Sequence, residues 1–299
     1  LNDKSMPFLN RAIDGQYTPG SIVKLFLALG ALNEKIIDPE KIIVTNGSIS
    51  IPNPYDDTKS TVFRDWKNHG PINMRQALAL SSDVYFYTVG GGFKDQKGLG
   101  IRKIDEYLQK FGFGTTTLDG STSYLLNKSG TIPTPEWKMK TFNEPWFIGN
   151  TYHTSIGQYG FQVTPIQIVR AVSAVANNGK IITPTLISGN KPHVESMVNI
   201  PKSYFDVIHD GMRMSVTEGT SKSLFIPYVE IGAKSGTAEL GYSKEKINSW
   251  MTGFWPYKNP RYAFAVMLEK GTVHYQIGAG AVMRQTLDWV RDNAPEYLE

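Results

Sequence analysis

Three pairs in this sequence have the spacing Ser-x-x-Lys: Ser21/Lys24, Ser188/Lys191 and Ser243/Lys246. About one such match arises by chance in a chain this long, so the surroundings decide which pair carries chemistry. Ser188-Gly189-Asn190-Lys191 reads as a turn, and Ser243-Lys244-Glu245-Lys246 as a charged, solvated loop. Ser21 is different, because every residue from Ile22 to Leu32 other than Lys24 is apolar or glycine. Such a helix is buried nearly all round, and it carries Lys24 inward on the face that holds Ser21. Burial favours the neutral amine of a lysine, and a neutral amine beside a hydroxyl is a general base. The helix start adds free N–H groups and a positive dipole end for a developing oxyanion. The chemistry implied is serine acyl transfer, with a plain N-cap role for Ser21 as the alternative.

Two further clusters invite the same question. Ser81-Ser82-Asp83 interrupts a helical pattern running from Ile72 to Tyr87, and Lys234-Ser235-Gly236-Thr237 lies on a strand expected over Val229–Ala238. Taken singly, the first reads equally as a helix cap and the second as a strand end with a bulge.

The elements that must position these residues follow from periodicity and punctuation. The turn Tyr17-Thr18-Pro19-Gly20 precedes the Ser21 helix, and Asn46–Asp57 reads as loop or short strands. Ile101–Phe111 and Thr164–Asn177 have helical spacing, the latter opened by Thr-Pro. Gly114–Pro145 reads as an irregular excursion. Ser249–Trp255 and Tyr262–Leu268 flank a turn at residues 256–260 and predict a hairpin, and Gly278–Asp292 predicts a closing helix. A buried helix, a mainly helical middle (a helical subdomain over residues 60–180) and antiparallel strands at the end predict an α+β fold, an antiparallel sheet flanked by helices.

Composition narrows the classes. With 40% hydrophobic and 19% charged residues, the 299-residue chain can build a substantial core and is not a disordered segment. The net charge of +4 (31 − 27) is spread along the chain with no basic stripe, which excludes a nucleic-acid partner. The absence of cysteine excludes disulfides, thiolate metal sites and thiol nucleophiles. No apolar run reaches the roughly 18–20 residues of a membrane helix, and the opening Leu1-Asn2-Asp3 reads as the start of an excised domain.

Together, Pro19-Gly20-Ser21-Ile22-Val23-Lys24, Ser81-Ser82-Asp83 and Lys234-Ser235-Gly236-Thr237 resemble, in order, the S-x-x-K, S-x-N/D and K-S/T-G motifs of the penicillin-binding protein and serine β-lactamase superfamily. Leu9–Ile13, His69-Gly70, Glu144-Pro145-Trp146, Ile156-Gly157-Gln158, Thr164–Gln167 and Phe254–Arg261 extend the resemblance to the elongation branch of the class B transpeptidases.

The resemblance implies the superfamily's fold over residues 1–299 and a peptidoglycan D,D-transpeptidase. Ser21 attacks the carbonyl between two terminal D-alanines of a stem peptide, and Lys24 accepts its proton. Ser81 passes the proton toward the leaving amine, with Lys234 beside it as a fixed charge. The N–H groups of Ser21 and Thr237 form the oxyanion hole, Ser235 and Thr237 hold the substrate carboxylate, and Gly236 admits the acyl group. Asp83 stands where most of the superfamily has Asn. A side-chain amine of a second stem peptide completes the crosslink, β-lactams inhibit, and no cofactor is needed. The resemblance further implies a mobile loop at Leu240–Asn248 and a membrane anchor and pedestal outside this chain. These place the domain on the outer, periplasmic face of the cytoplasmic membrane. The implied partners are a membrane glycosyltransferase and a rod-shape scaffold protein. Some elongation enzymes bind zinc through a cysteine at the Ser82 position; Asp65 and His69, with Asp56 or Asp57, are the weak candidates here, and no metal is expected without the thiolate. His153, His193, His209 and His274 have no ligand spacing, and Tyr257-Lys258-Asn259 falls in the hairpin turn. A β-lactamase or D,D-carboxypeptidase of the same fold remains an alternative, as does a non-catalytic β-lactam sensor or scaffold. Glu144-Pro145-Trp146-Phe147-Ile148 does not match the E-x-x-L-N of class A β-lactamases.

Overall fold

The computed structural model describes residues 6–53, 55–117, 128–190, 193–241, 245–273 and 277–299. Lys191, Ser243, His274 and the opening Leu1-Asn2-Asp3 therefore lie outside the described residues.

The helix after Ser21 begins as a 3₁₀ turn, Gly20–Val23, and continues as α1, Lys24–Asn33. Every α1 residue from Lys24 to Leu32 is buried, as the all-round apolar pattern requires. Phe26 packs on Phe111 and Phe113 with ring centroids 5.0 Å apart in both pairs. Burying a Phe or Leu side chain completely contributes about 1.5–3 kcal/mol, so α1 anchors the main core.

Asn46–Asp57 turns out to be largely strand. β1 (Ile43–Thr45) is followed by β2 (Ser48–Asn53), which pairs antiparallel with β3 (Asp56–Arg64), and β1 pairs with β4 (Gly70–Ile72). The segment 60–180 accordingly begins in strand and becomes helical only from α2 (Met74–Leu80) onward. The predicted interruption is real: α2 ends at Ser81, which adopts a left-handed conformation (φ 57, ψ 37), and α3 (Asp83–Gly91) starts afresh. Then come α4 (Ile101–Lys110), α5 (Pro135–Phe142), α6 (Ile148–Ser155) and α7 (Pro165–Ala176). α5 corrects the expectation of an irregular excursion. Its cap, Thr134 accepting from Trp137 N with Pro135 in the first turn, is the same Thr-Pro device that opens α7.

The short pair β5 (Lys180–Ile182) and β6 (Val194–Met197) leads to α8 (Lys202–Thr217). The sheet that matters for the site has the order β7–β8–β9: Gly232–Leu240, Lys246–Trp255 and Tyr262–Thr272, all antiparallel. β7 is its edge strand. Both ends of the loop expected to be mobile are strand, since Leu240 pairs with Lys246 and Ala238 with Asn248. Side chains alternate across this sheet as the pleat demands. Trp250 and Phe254 face the main core, while Ala233, Met251 and Phe264 face α9 (Ala279–Asn293) through Met283 and Leu287. α7 and α8 pack against the sheet on the main-core side, giving helix, sheet, helix in layers.

Candidate active site

Ser21 lies in the 3₁₀ turn, and Lys24 N donates to Ser21 O, so the expected nucleophile and base share one turn. Ser21 is not acting as a cap: neither Pro19 nor Val23, the capping positions of the 3₁₀ turn and of α1, makes a side-chain cap bond. The turn is held on two sides. Gly20 N donates to Gly157 O at 3.0 Å, and Gly20 adopts φ +58, where a Cβ would meet Thr237 O at 2.5 Å. Only glycine combines that conformation with that closeness. On the other flank, a Cβ on Gly236 would meet Pro19 O and Ile22 Cγ2, each at 3.0 Å, and Trp250 Nε1 donates to Thr18 O at 3.0 Å. β7 is thereby pressed against the nucleophile turn, with Ser235, Gly236 and Thr237 beside it.

The second cluster resolves into two roles. Ser82 is a cap, accepting from Tyr85 N at 3.3 Å. Ser81, one residue earlier, points its hydroxyl into the site. Lys234 Nζ donates to Ser81 Oγ at 2.7 Å and to Ser235 O at 2.8 Å. Lys24 Nζ donates to Ser81 O at 2.8 Å, reaches Ser81 Oγ at 3.5 Å and donates to Asp83 Oδ1 at 2.6 Å. Residues from α1, the α2–α3 junction and β7 thus converge on one buried hydroxyl. Lys234-Ser235-Gly236-Thr237 pairs residue for residue with Thr252–Ser249, so the bulge reading is excluded.

Lys24 and Lys234 are both fully buried. Lys24 Nζ, though fully buried, has both Asp83 and the Ser81 carbonyl as acceptors. Buried charge is tolerated only when paired and hydrogen-bonded, and Asp83, where Asn would bring no charge, supplies that partner. Lys234 is held well below the usual lysine range, first by burial, then by the charge of Lys24, with Asp83 acting in the opposite direction.

One contact had no sequence signal. Ser235 Oγ donates to Thr220 Oγ1 at 2.6 Å, and Thr220 N donates to Ala79 O at 3.1 Å. Thr220, in an ordinary loop after α8, therefore links the strand of Lys234 to the helix that ends at Ser81.

Asp65 and His69 are buried together, with His69 Nε2 3.5 Å from Asp65 Oδ1. The donor set does not suit zinc. Asp65 Oδ2 already accepts from Ser82 Oγ at 2.6 Å and from Val84 N at 3.0 Å. Asp56 is turned to Lys59 at 2.7 Å and to Thr58. Among the described residues no group of three or more His, Asp or Glu side chains is arranged to hold a metal ion. His209 is structural, bonded to Val175 O at 2.8 Å and packed on Phe254. Tyr257 is tied back to Glu230 O and Asp210, in the hairpin turn as expected. Of the other serine–lysine pairs, Lys246 opens β8 and pairs with Leu240, far from a buried base.

The family model for the penicillin binding protein transpeptidase domain matches residues 1–288. The peptidoglycan D,D-transpeptidase MrdA of Escherichia coli (strain K12) is 33% identical over 319 residues, covering 97% of this chain and 48% of the relative. The chain therefore spans about half the length of the curated relatives it matches. Penicillin-binding protein PBP2 of Helicobacter pylori, solved in complex with MreC, is similar with a TM-score of 0.81 at 28% identity, covering 98% of this chain and 53% of that one. PBP2 of Pseudomonas aeruginosa in complex with WCK 5153 gives a TM-score of 0.81 at 29% identity, with 98% and 65% covered. With its three motifs gathered on one hydroxyl and its fold matched along nearly its whole length, the chain belongs to the penicillin-binding protein transpeptidase-domain family.

Proposed function

We propose that this chain is the catalytic domain of a peptidoglycan D,D-transpeptidase of the elongation type, working through a Ser21 acyl-enzyme. The observation that carries the reading is the convergence of Lys24, Ser81 and Lys234 beside the Ser21 turn. Ser21 Oγ bonds to the carbonyl carbon of the penultimate D-alanine while Lys24, in its neutral form, takes the hydroxyl proton. Ser81 gives its proton to the departing amine and is reprotonated from Lys24, so terminal D-alanine leaves with a neutral amine and its carboxylate unchanged. The acceptor amine then attacks the acyl carbon, and its proton returns through Lys24 to Ser21 Oγ. Thr237 N–H and Ser21 N–H face the oxyanion, and Lys234, Ser235 and Thr237 take the substrate carboxylate.

The E. coli relative is named for D,D-transpeptidation and the H. pylori relative was solved with MreC, which supports a rod-shape scaffold partner for this chain too. We extend the reading to a membrane glycosyltransferase partner and to a single membrane anchor and pedestal outside this chain, holding the domain in the periplasm. Among the described residues no helix is long and apolar enough to cross a membrane. A β-lactamase of the class A kind needs a carboxylate that activates water, whereas Glu144 is 62% exposed and turned to Lys138 at 3.3 Å.

Intact-mass spectrometry after exposure to benzylpenicillin, followed over hours with Ser21→Ala alongside, tests the reading. A single persistent adduct absent from Ser21→Ala is expected. Rapid loss of the adduct with drug consumption would replace the transpeptidase by a β-lactamase, and a folded chain that never acylates would favour a scaffold.

A further inference from the structure

Ser81 has two demands placed on it. Its hydroxyl meets Lys234 at 2.7 Å while its carbonyl meets Lys24 at 2.8 Å. It does this with φ 57 and ψ 37, a conformation that costs a non-glycine residue about 1–2 kcal/mol. Such a backbone persists only where its flanks are fixed. On the N-terminal flank the fixing is local: Ser81 N donates to Leu78 O at 3.3 Å and Ser82 N to Ala77 O at 3.1 Å. On the C-terminal flank it comes from 17 residues away in sequence. One oxygen of Asp65, Oδ2, accepts from Ser82 Oγ at 2.6 Å and from Val84 N at 3.0 Å, the residues on either side of Asp83.

We infer that Asp65 is a positioning residue for the reaction: its carboxylate sets the left-handed turn that aims Ser81 at Lys234 and Asp83 at Lys24. The inference rests on the reading of Ser21, Lys24 and Ser81 as the acyl-transfer site. Asp65 does not touch the reacting groups and acts through Ser82 and Val84. Its own setting is rigid. Its side chain is fully buried, Trp66 N donates to Oδ1 at 2.9 Å, and Asp65 N donates to Gly47 O at 2.8 Å. His69 faces Oδ1 from within the same pocket, with Trp66 edge-on at a ring-centroid distance of 5.0 Å. Asp65 accepts at both oxygens, whereas an amide in its place turns one terminus into a donor facing either Trp66 N or the Ser82 and Val84 donors. Among the described residues the turn is fastened by hydrogen bonds to this carboxylate, with no group of three or more ligands arranged to hold a metal ion.

The test is a double-mutant cycle with Asp65→Asn and Ser82→Ala, read by rapid-quench acylation with benzylpenicillin. Each single variant is expected to lower the limiting acylation rate at least tenfold, with the half-saturating drug concentration and the fraction of titratable sites unchanged. The double variant is expected to be no slower than the slower single. A merely structural role would lower the titratable fraction and the melting temperature while leaving the rate of the surviving sites intact. That result, wild-type rates in folded variants, or effects that multiply in the double variant would each overturn the inference. EDTA is expected to leave the wild-type rate unchanged, and a chelator-sensitive rate would overturn the metal-free fastening. Amide hydrogen exchange at Val84 keeps the two readings separable. If the wild type is never acylated, the functional reading falls, while unchanged exchange in Asp65→Asn would sink the positioning role by itself.

Discussion

Lys24 Nζ and Asp83 Oδ1 lie 2.6 Å apart, an ion pair in which the lysine is wholly buried and the carboxylate 19% exposed. The pair brings a carboxylate to Lys24 beside a second buried lysine, Lys234. Asp83→Asn keeps the shape and one acceptor but leaves Lys24 without a counter-charge. Removing one partner of a buried pair costs about 3–5 kcal/mol, and the amide's remaining hydrogen bond places the expected loss at about 2–3 kcal/mol. Urea unfolding measures it, and an unchanged midpoint would show that the pair contributes nothing.

Lys24→Arg retains positive charge against Asp83 while removing any access to a neutral base, since guanidinium stays protonated throughout the working range. Acylation by benzylpenicillin is expected to vanish with folding retained. Normal acylation of that variant would remove Lys24 from the base role.

Lys234 gives a prediction about pH. Its folded-state value lies well below 10.5, chiefly through burial and then through Lys24, so between that lowered value and 10.5 the unfolded chain holds more protons than the folded one. Stability is therefore expected to rise with pH across that window, opposite to the behaviour of a lysine that gains an ion-pair partner. Over the same rise Lys234 loses its charge, so capture of carboxylate-bearing β-lactams should weaken on the alkaline side before an ordinary lysine would titrate. Urea midpoints and acylation rates measured from neutral to alkaline pH, with Lys234→Met as control, check both limbs. A variant that keeps the wild-type slope would dismiss Lys234 as its source.

Gly20→Ala places a methyl group 2.5 Å from Thr237 O in a backbone already at φ +58. The nucleophile turn must shift away from β7, and a displacement of that order lowers acylation by about a hundredfold. Retained fast acylation would show that the contact between Gly20 and Thr237 is not needed.

Much of this site was legible because its residues break their own local patterns. Lys24 is the one charge in an apolar helix, and Ser81–Asp83 splits a helix that otherwise reads through. Residues with no such anomaly stayed hidden. Thr220 sits in a loop of ordinary composition, and its bonds to Ser235 and Ala79 exist only once α8 and β7 are packed. Asp65 was visible only as a potential ligand, because its hydrogen bonds to Ser82 and Val84 are tertiary. The partner of Lys24 stayed hidden for the same reason: its burial is readable from one helix, while Asp83 arrives from another. Among the elements, α1, α4, α7, α9 and the β8–β9 hairpin announced themselves by periodicity and turns. α5 did not, as eight residues framed by Gly, Thr, Ser and Pro. α6 and α8 escaped with it, through short length in one and a weakly apolar sequence in the other.

β7 stands at the margin of its sheet with Lys234, Ser235, Gly236 and Thr237 along it. A strand margin is a template for any extended chain, including a second copy of the same protein, and folded proteins normally blunt it. On the proposed function, the margin next to Ser21 is where a peptide lies to be acylated, so blunting it would abolish access. On that reading, self-association through β7 and access of substrate depend on the same few residues. Substitutions that reduce self-association through β7 are expected to do so at the expense of turnover.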